Sequence, residues 1–390
     1  MNLQKQKNPL KIEYNPNRNI GLDLLRVIAI FMVMLLHSNA ILPSAVRKIV
    51  NYFYMDGVTI FFVLSGFLIG GIFIRDFEKR NNEMSYFKFL KNFIIRRWFR
   101  TLPNYYFVLT LIVLYFIVMG YDLGSTHLIE YYLFFQNFAW DHPPFFPEAW
   151  SLAVEEWFYL LIPFSTLLIF RIGREKSFKI TIISVAIFII AFVIAFRYNR
   201  YLQITDITDF DLAFRKQVIL RFDSLMFGIL SAVGFHYNRN LWKKYSKPLS
   251  LLGILLLAVH YYTSHFHSLG LFYDANISFL VEGLSIFCLL PFFYYLEINK
   301  PIFRNIIVHN SIISYSVYLL NYSIVLNAMI YEIDWRLLYR FILKITPHAH
   351  TIIWMIKYIS FWGITILLST INYNYFELYF IKLRNKITKE

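Results

Sequence analysis

Ten runs of mostly apolar residues, all but a short seventh close to the twenty needed to cross hydrocarbon as a helix, constrain this 390-residue chain more than any motif does. They cover approximately 20–42, 57–75, 102–120, 151–171, 178–196, 217–235, 249–262, 277–297, 311–331 and 351–371. A lipid-spanning backbone must satisfy its own hydrogen bonds, and runs of this length do so as helices. The expected fold is therefore all-α, a polytopic integral membrane protein of about ten transmembrane helices. Composition agrees: 58% of residues are hydrophobic, 20% are aromatic and the mean hydropathy is +0.51. The stretch 128–140, with Tyr131, Tyr132, Phe134, Phe135 and Trp140, is too short to span and reads as interfacial. The first run carries Asp23 and Arg26, unlike the apolar centre of a signal peptide, and is expected to be retained. No repeat or low-complexity linker divides the chain. Residues 1–19 read as an N-terminal tail, 20–380 as one membrane-embedded domain and 381–390 as a basic tail.

A net charge of +14 would suit nucleic acid if it were clustered, but the basic residues collect in alternate loops. Of the 38 Lys and Arg, 26 fall in one set of loops and termini and 9 in the other, with Arg26, Arg221 and Lys357 inside spans. That asymmetry places both termini in the cytoplasm and makes anionic lipid and a phosphorylated ligand the expected partners, with no nucleic acid. The single cysteine, Cys288, excludes an intrachain disulfide framework and Cys-rich zinc sites, and reads as core packing.

Ionisable groups inside apolar runs are costly and point to function. Arg26 and His37 are eleven residues apart on the first span, which brings them to within roughly 20° of one helix face and separates them by about 16 Å. With the N-terminus inside, Arg26 is near the cytoplasmic end and His37 in the outer half. Glu155, Glu156, Arg221, Asp223, Glu282 and Lys357 fall by the same reasoning near the depth of His37, and one polar chamber opening outward would accommodate them all. The alternative is a snorkelling Arg26, a satisfied core His37 and charges paired between helices. On the inner side, Arg97 and Arg100 lie three apart before Leu102-Pro103 and can form a phosphate clamp, although a positive-inside anchor has the same composition.

Other chemistries find little support. The chain has no Gly-x-Ser-x-Gly elbow, no His-Glu-x-x-His helix and no Gly-rich phosphate loop. His265 with His267, and His348 with His350, lack carboxylate or Cys companions and read as solvated loop residues, so no metal site is expected. Ser65 beside Gly66 reads as a small-residue helix contact rather than a nucleophile, since no base stands near it in sequence.

Four segments in order complete the picture: Leu22-Asp23-Leu24-Leu25-Arg26 followed by His37; Phe61 to Ile69, containing Ser65-Gly66-Phe67; Arg96-Arg97-Trp98-Phe99-Arg100-Thr101-Leu102-Pro103; and Trp150-Ser151-Leu152-Ala153-Val154-Glu155-Glu156-Trp157. Later come Arg221-Phe222-Asp223 with Gly228, Ile313 to Leu319, and Glu377 near Lys382-Leu383-Arg384. Together they resemble acyltransferase family 3, the integral membrane O-acyltransferases that include bacterial surface-polysaccharide acetylases. Asn321 departs from that pattern where relatives often have His, and the usual proline after Glu377 is absent. The soluble esterase-like domain that some relatives carry at the C-terminus is also missing from this sequence.

The resemblance implies transfer of an acyl group, usually acetyl, from acyl-CoA to a hydroxyl of an extracytoplasmic glycan or similar acceptor, in the bacterial cytoplasmic membrane. Acyl-CoA is then a donor substrate, and no tightly bound cofactor is implied. His37 is the candidate base, or a transient acyl carrier, and Glu155 the group that would orient it. Arg97 and Arg100 would hold the coenzyme A phosphates and Arg26 the donor along its passage. Asp23, Trp150, Ser151, Glu156, Arg221 and Asp223 are candidate supporting or substrate-binding residues. A proton-coupled transporter would also place His, Glu, Asp and Arg inside ten spans, and a sensor or scaffold is a third reading. Against the transporter stand the Arg97/Arg100 pair and the absence of Gly/Pro-broken spans in two matching halves. Acceptor identity, acyl chain and oligomeric state stay open.

Overall fold

The computed structural model describes residues 12, 14, 17–53, 55–80, 84–124, 126–174, 177–204, 210–266 and 269–387. Most of the tail assigned to 1–19, the last residues of the tail assigned to 381–390, and His267 lie outside them. The described chain is helical, with no strand. In order the helices are α1 (Ile20–Ser38), α2 (Ser44–Phe53), α3 (Gly57–Glu78), α4 (Tyr86–Val118), α5 (Leu128–Leu133), α6 (Ala149–Ile172), α7 (Phe178–Gln203) and α8 (Phe222–Tyr237). They continue with α9 (Arg239–Lys244), α10 (Ser246–His265), α11 (Ser278–Tyr295), α12 (Pro301–Leu320), α13 (Arg336–Leu343), α14 (Ala349–Asn372) and α15 (Leu378–Ile387).

Local chemistry starts these helices where the sequence changes character. Asn19 and Asp56 sit in extended backbone and accept the amides of Leu22 (3.0 Å) and Val58 (2.9 Å), capping α1 and α3 before their apolar runs. Ser85 does the same for α4 through the Lys88 amide. Eight helical segments among the described residues are long and apolar enough to cross a membrane, so the chain is an all-α multi-pass membrane protein. Two of the ten expected spans differ in kind. The run at 217–235 forms α8, which at 16 residues is about 24 Å long, and the run at 249–262 becomes α10, whose ends carry Lys247, Pro248, His260 and His265. The third span is longer than its apolar run: α4 begins at Tyr86 and carries the arginine cluster within one continuous helix. The interfacial stretch forms α5, stopped after six residues by Phe134 in the left-handed region (φ 59°).

The bundle is organised by backbone approaches that lipid cannot mediate. Helix α3 packs along α8, α10 along α11, and α1 along both α12 and α3. At the α3–α8 crossing a methyl group on Gly66 would lie 2.0 Å from the Leu225 carbonyl, and one on Gly228 would lie 2.2 Å from the Val63 carbonyl. Small residues are what allow helices to meet this closely in a membrane. Gly66→Val and Gly228→Val should each lower the melting temperature of detergent-purified protein by more than ordinary overpacking, which costs roughly 1–3 kcal/mol. Gly71→Ala, with nothing within 4 Å of its new methyl group, should be neutral or stabilising by up to about 1 kcal/mol. Equal melting of the three variants would refute the close crossing.

Candidate active site

The site starts at the first turns of α1, where a carboxylate is placed among cations. Asp23 is buried and accepts from Arg18, from Arg26 Nη1 (3.3 Å) and from the Ser311 hydroxyl of α12 (2.6 Å). Arg26 donates to Ser311 as well, at 3.0 Å. The guanidinium that sequence reasoning marked as costly is thus seated by its own helix and by α12, with its far side open to a cavity.

Arg97 and Arg100 approach the same cavity from α4, one turn before Pro103. Their neighbour Arg96 bonds Asp76 on α3 at 2.8 Å. Arg97 is only 7% exposed, stacks over Phe93 and leaves its Nε without a partner among the described residues. Neither Arg97 nor Arg100 has a carboxylate within 4 Å among those residues. The cavity has a volume of about 360 Å³ and is lined by Arg18, Asp23, Arg26, Arg97 and Arg100 together with Ser65, Ser151, Glu155, Tyr159 and Tyr318. Glu155 is its carboxylate wall and accepts from the Ser65 hydroxyl (2.8 Å) and the Tyr159 hydroxyl (3.0 Å).

His37 does not line this cavity. Its Nδ1 is 2.5 Å from Asn321 Oδ1, and its ring lies 4.7 Å from that of Tyr322. The cavity lining ends at Tyr318, one helical turn before Asn321. There the Tyr318 hydroxyl meets the Ser151 hydroxyl (2.6 Å) and the Glu148 carbonyl (3.1 Å), and its ring meets the edge of Phe61. The expectation that Glu155 orients His37 is corrected: no hydrogen bond joins them among the described residues. Antiparallel packing sets Glu155, almost two turns into α6, level with Ser65 and the arginines. Glu148, just before α6 begins, is the carboxylate near the level of His37, and it accepts the Ser323 amide (3.0 Å) and hydroxyl (2.7 Å).

The remaining charges expected in a single outward chamber stand outside the cavity, and Thr59 links several of them by bonding Asp56 (2.9 Å) and Glu282 (3.3 Å) as well as Arg221. Arg221, fully buried, donates to Thr59 (2.9 Å) and lies 3.6 Å from Asp56, with Phe279, Phe62 and Trp150 around its guanidinium. Asp223 pairs with Arg197 at 2.5 Å, and Glu282 pairs with His260 at 3.0 Å. Glu156 accepts from the cavity-lining Thr101 at 2.7 Å without lining the cavity itself, and Lys357 lies over the Trp335 ring. His265, read as a solvated loop residue, bonds the carbonyls of Tyr261 and Asn51. Of the eleven proposed site residues, the cavity collects Asp23, Arg26, Arg97, Arg100, Ser151 and Glu155, while His37, Trp150, Glu156, Arg221 and Asp223 stand outside it.

Sequence reasoning missed Arg18, Ser65, Tyr159 and Tyr318 as lining residues, and Asn321 as the partner of His37. Gly66 does make the tight helix contact, but Ser65 beside it faces Glu155, 90 positions away. No local signal could have shown that pairing. Tyr318 and Asn321 lay within or beside a quoted segment, without a reason to attach them to His37.

Comparison with known proteins gives the family. Residues 19–374 match the family described as an acyltransferase domain, and the chain belongs to that family. It is 30% identical over 159 residues to the peptidoglycan O-acetyltransferase OatA of Listeria monocytogenes, covering 37% of this chain and 23% of that protein. It is 25% identical over 272 residues to the O-acetyltransferase OatA of Staphylococcus aureus, covering 63% and 40% respectively. An uncharacterised protein of Haemophilus influenzae is 31% identical over 220 residues, 51% of this chain and 83% of that one. The chain thus spans less than half the length of the two named O-acetyltransferases. No solved structure matches it.

The Asp23 cluster yields a stability prediction. Asp23→Ala would leave two guanidinium groups beside a buried gap, and breaking such a pair costs about 3–5 kcal/mol. Arg18→Ala removes a side chain that is 29% exposed and should cost much less. Thermal melts in detergent compare the two, and an Asp23→Ala protein that melts with the wild type would show that this cluster does not seat α1 on α12.

Proposed function

We propose that this protein is a membrane O-acyltransferase that moves an acyl group, taken to be acetyl, from cytoplasmic acyl-CoA to a hydroxyl of an extracytoplasmic glycan. The observation that carries the reading is the pair Arg97 and Arg100, without carboxylate partners among the described residues and facing a cavity that also reaches Tyr318, one turn before the Asn321 partner of His37. Arg97 is buried without a carboxylate to neutralise it among the described residues, Arg100 is exposed, and the planar fork of each matches phosphate oxygens. In this reading Arg97 and Arg100 hold the coenzyme A phosphates at the inner end. Arg26, already tied to Asp23 and Ser311, lines the passage near its inner end and holds the donor along it. The 16 Å or so between Arg26 and His37 along α1 suits an extended pantetheine arm. His37 accepts the proton of the attacking hydroxyl. Glu155 belongs to the donor end, where it holds the hydroxyls of Ser65 and Tyr159. Arg221, Asp223, Trp150 and Glu156 support the bundle around the site.

Similarity to the peptidoglycan O-acetyltransferase OatA makes a cell-wall glycan the favoured acceptor class, and kinship with the OatA proteins makes a bacterial cytoplasmic membrane the setting. Both termini are assigned to the cytoplasm on the loop-charge asymmetry. A proton-coupled transporter would leave the unpaired arginine clamp without a purpose.

Loss of one charge-assisted phosphate contact is worth roughly 1.5–3 kcal/mol. Arg97→Ala and Arg100→Ala should therefore raise KM for acyl-CoA about ten- to a hundredfold, with Lys rescuing only in part. His37→Ala should abolish transfer to glycan acceptors while coenzyme A binding by calorimetry persists. Unchanged donor affinity in both arginine variants would return them to membrane anchoring, and near wild-type turnover in His37→Ala would remove the imidazole from the mechanism.

Sidedness has its own test. In a Cys288→Ser background, an impermeant thiol reagent added to intact cells should label Asp122→Cys and spare Lys79→Cys. The reverse pattern would overturn transfer from a cytoplasmic donor to an outer acceptor.

A further inference from the structure

The π-helical segment Asn321–Tyr331 follows α12 directly, and its first residue is the partner of His37. Asn321 ties its side chain to the last turn of α12: its Nδ2 donates to the carbonyls of Val317 (2.8 Å) and Tyr318 (2.9 Å), the first of which also accepts the Asn321 backbone N–H. An amide nitrogen has two hydrogens, so both are spent. Rotating the amide by half a turn would set its oxygen against two carbonyl oxygens and leave both without that donor. The orientation is therefore fixed by the backbone. Asn321 is fully buried, and Glu148 clamps the same turn through the Ser323 amide and hydroxyl.

With the nitrogen committed, Asn321 presents its Oδ1 to His37 Nδ1. An amide oxygen can only accept, so Nδ1 must carry a hydrogen. A neutral imidazole has one such hydrogen, which leaves the lone pair on Nε2. Among the described residues Nε2 has no hydrogen-bond partner, and His37 is only half-buried.

We propose that Asn321 is a positioning residue that locks His37 in the tautomer protonated on Nδ1, so that Nε2 is the atom that takes the proton of the acceptor hydroxyl. The proposal rests on His37 acting as the base in the transfer described above. As the acceptor oxygen bonds to the acyl carbon, its proton passes to Nε2. The carbon–sulfur bond then breaks, its electron pair leaves on the coenzyme A sulfur, and Nε2 returns the proton to that thiolate directly or through water. Nδ1–H stays donated to Asn321 throughout, so the ring keeps its orientation in both protonation states. Like the carboxylate of a catalytic triad, the amide fixes tautomer and ring orientation, but it does so without the counter-charge that would make the imidazole more basic.

The test reads the tautomer and the chemistry separately. Protein labelled with ¹⁵N-histidine and reconstituted in nanodiscs is compared with a His37→Gln sample to isolate the His37 ring signals. Wild type should show a single neutral form with the hydrogen on Nδ1. Asn321→Leu, close in size but without an acceptor, and Asn321→Ala, which cannot overfill the site, should both lose that single form. Both should lower kcat roughly ten- to a hundredfold, as loss of an orienting partner does elsewhere, with KM for acyl-CoA unchanged. A wild-type ring protonated on Nε2 overturns the proposal without recourse to any variant. So does a fall in kcat with the tautomer intact, which would make Asn321 merely structural, and so does unchanged kcat in a variant whose tautomer has been lost. Should His37→Ala remain active, the base assignment fails by itself, while the ring signals still report what Asn321 does to the imidazole.

Discussion

Hydrocarbon does not solvate charge, and this bundle is arranged around that fact. Every ionisable side chain within a span has to meet a partner on another helix, an aromatic face or a cavity. Asp23 meets the requirement by collecting Arg18, Arg26 and Ser311, which ties α1 to α12. Arg221 meets it through Thr59, Asp56 and three aromatic rings, which ties the start of α8 to α3, α6 and α11. Arg97 and Arg100 meet it through the cavity. The last solution differs from the others because it leaves cationic capacity unused by the protein.

The glycine contacts serve the same end from the backbone side. At Gly66 and Gly228 helices α3 and α8 approach until main-chain atoms touch, and the residue before Gly66, Ser65, donates to Glu155 on α6 at 2.8 Å. Helix α1 then connects two environments: a cationic one at its first turns and, about three turns on, an imidazole oriented by an amide. Tyr318 stands between the cavity and the turn that carries Asn321, so the same element, α12 with its π-helical extension, contributes Ser311 to one end of the site and Asn321 to the other.

How much of this could be read from the chain depends on the kind of signal. Asp23, Arg26, Arg97, Arg100 and Glu155 stand out because a charge within or beside an apolar run is expensive wherever it lies, and all five line the cavity. Arg221 and Asp223 stand out for the same reason, yet they belong to a structural network. Cost marks a residue as needing a partner and does not say whether that partner is protein or ligand. Counting residues from a span end put Glu155 and His37 at one depth; the loop before α6 and the antiparallel packing put Glu155 beside Arg26 instead. Ser65 and Asn321 carry no charge, and although Asn321 stood out as a departure from the family pattern, nothing in the sequence showed what either side chain faces.

The sequence by itself determined the class of fold and the residues that had to be accommodated, because helix length, apolarity and the energetics of charge in lipid are properties of short segments. It also carried the family, through motifs whose order survives along the chain. Tertiary structure alone decided which of the costly groups face one another. The Asp23–Ser311, Ser65–Glu155 and His37–Asn321 contacts join residues 288, 90 and 284 positions apart. Pairings at that separation depend on helix rotation, register and close crossing together, and no periodicity within a single span encodes them.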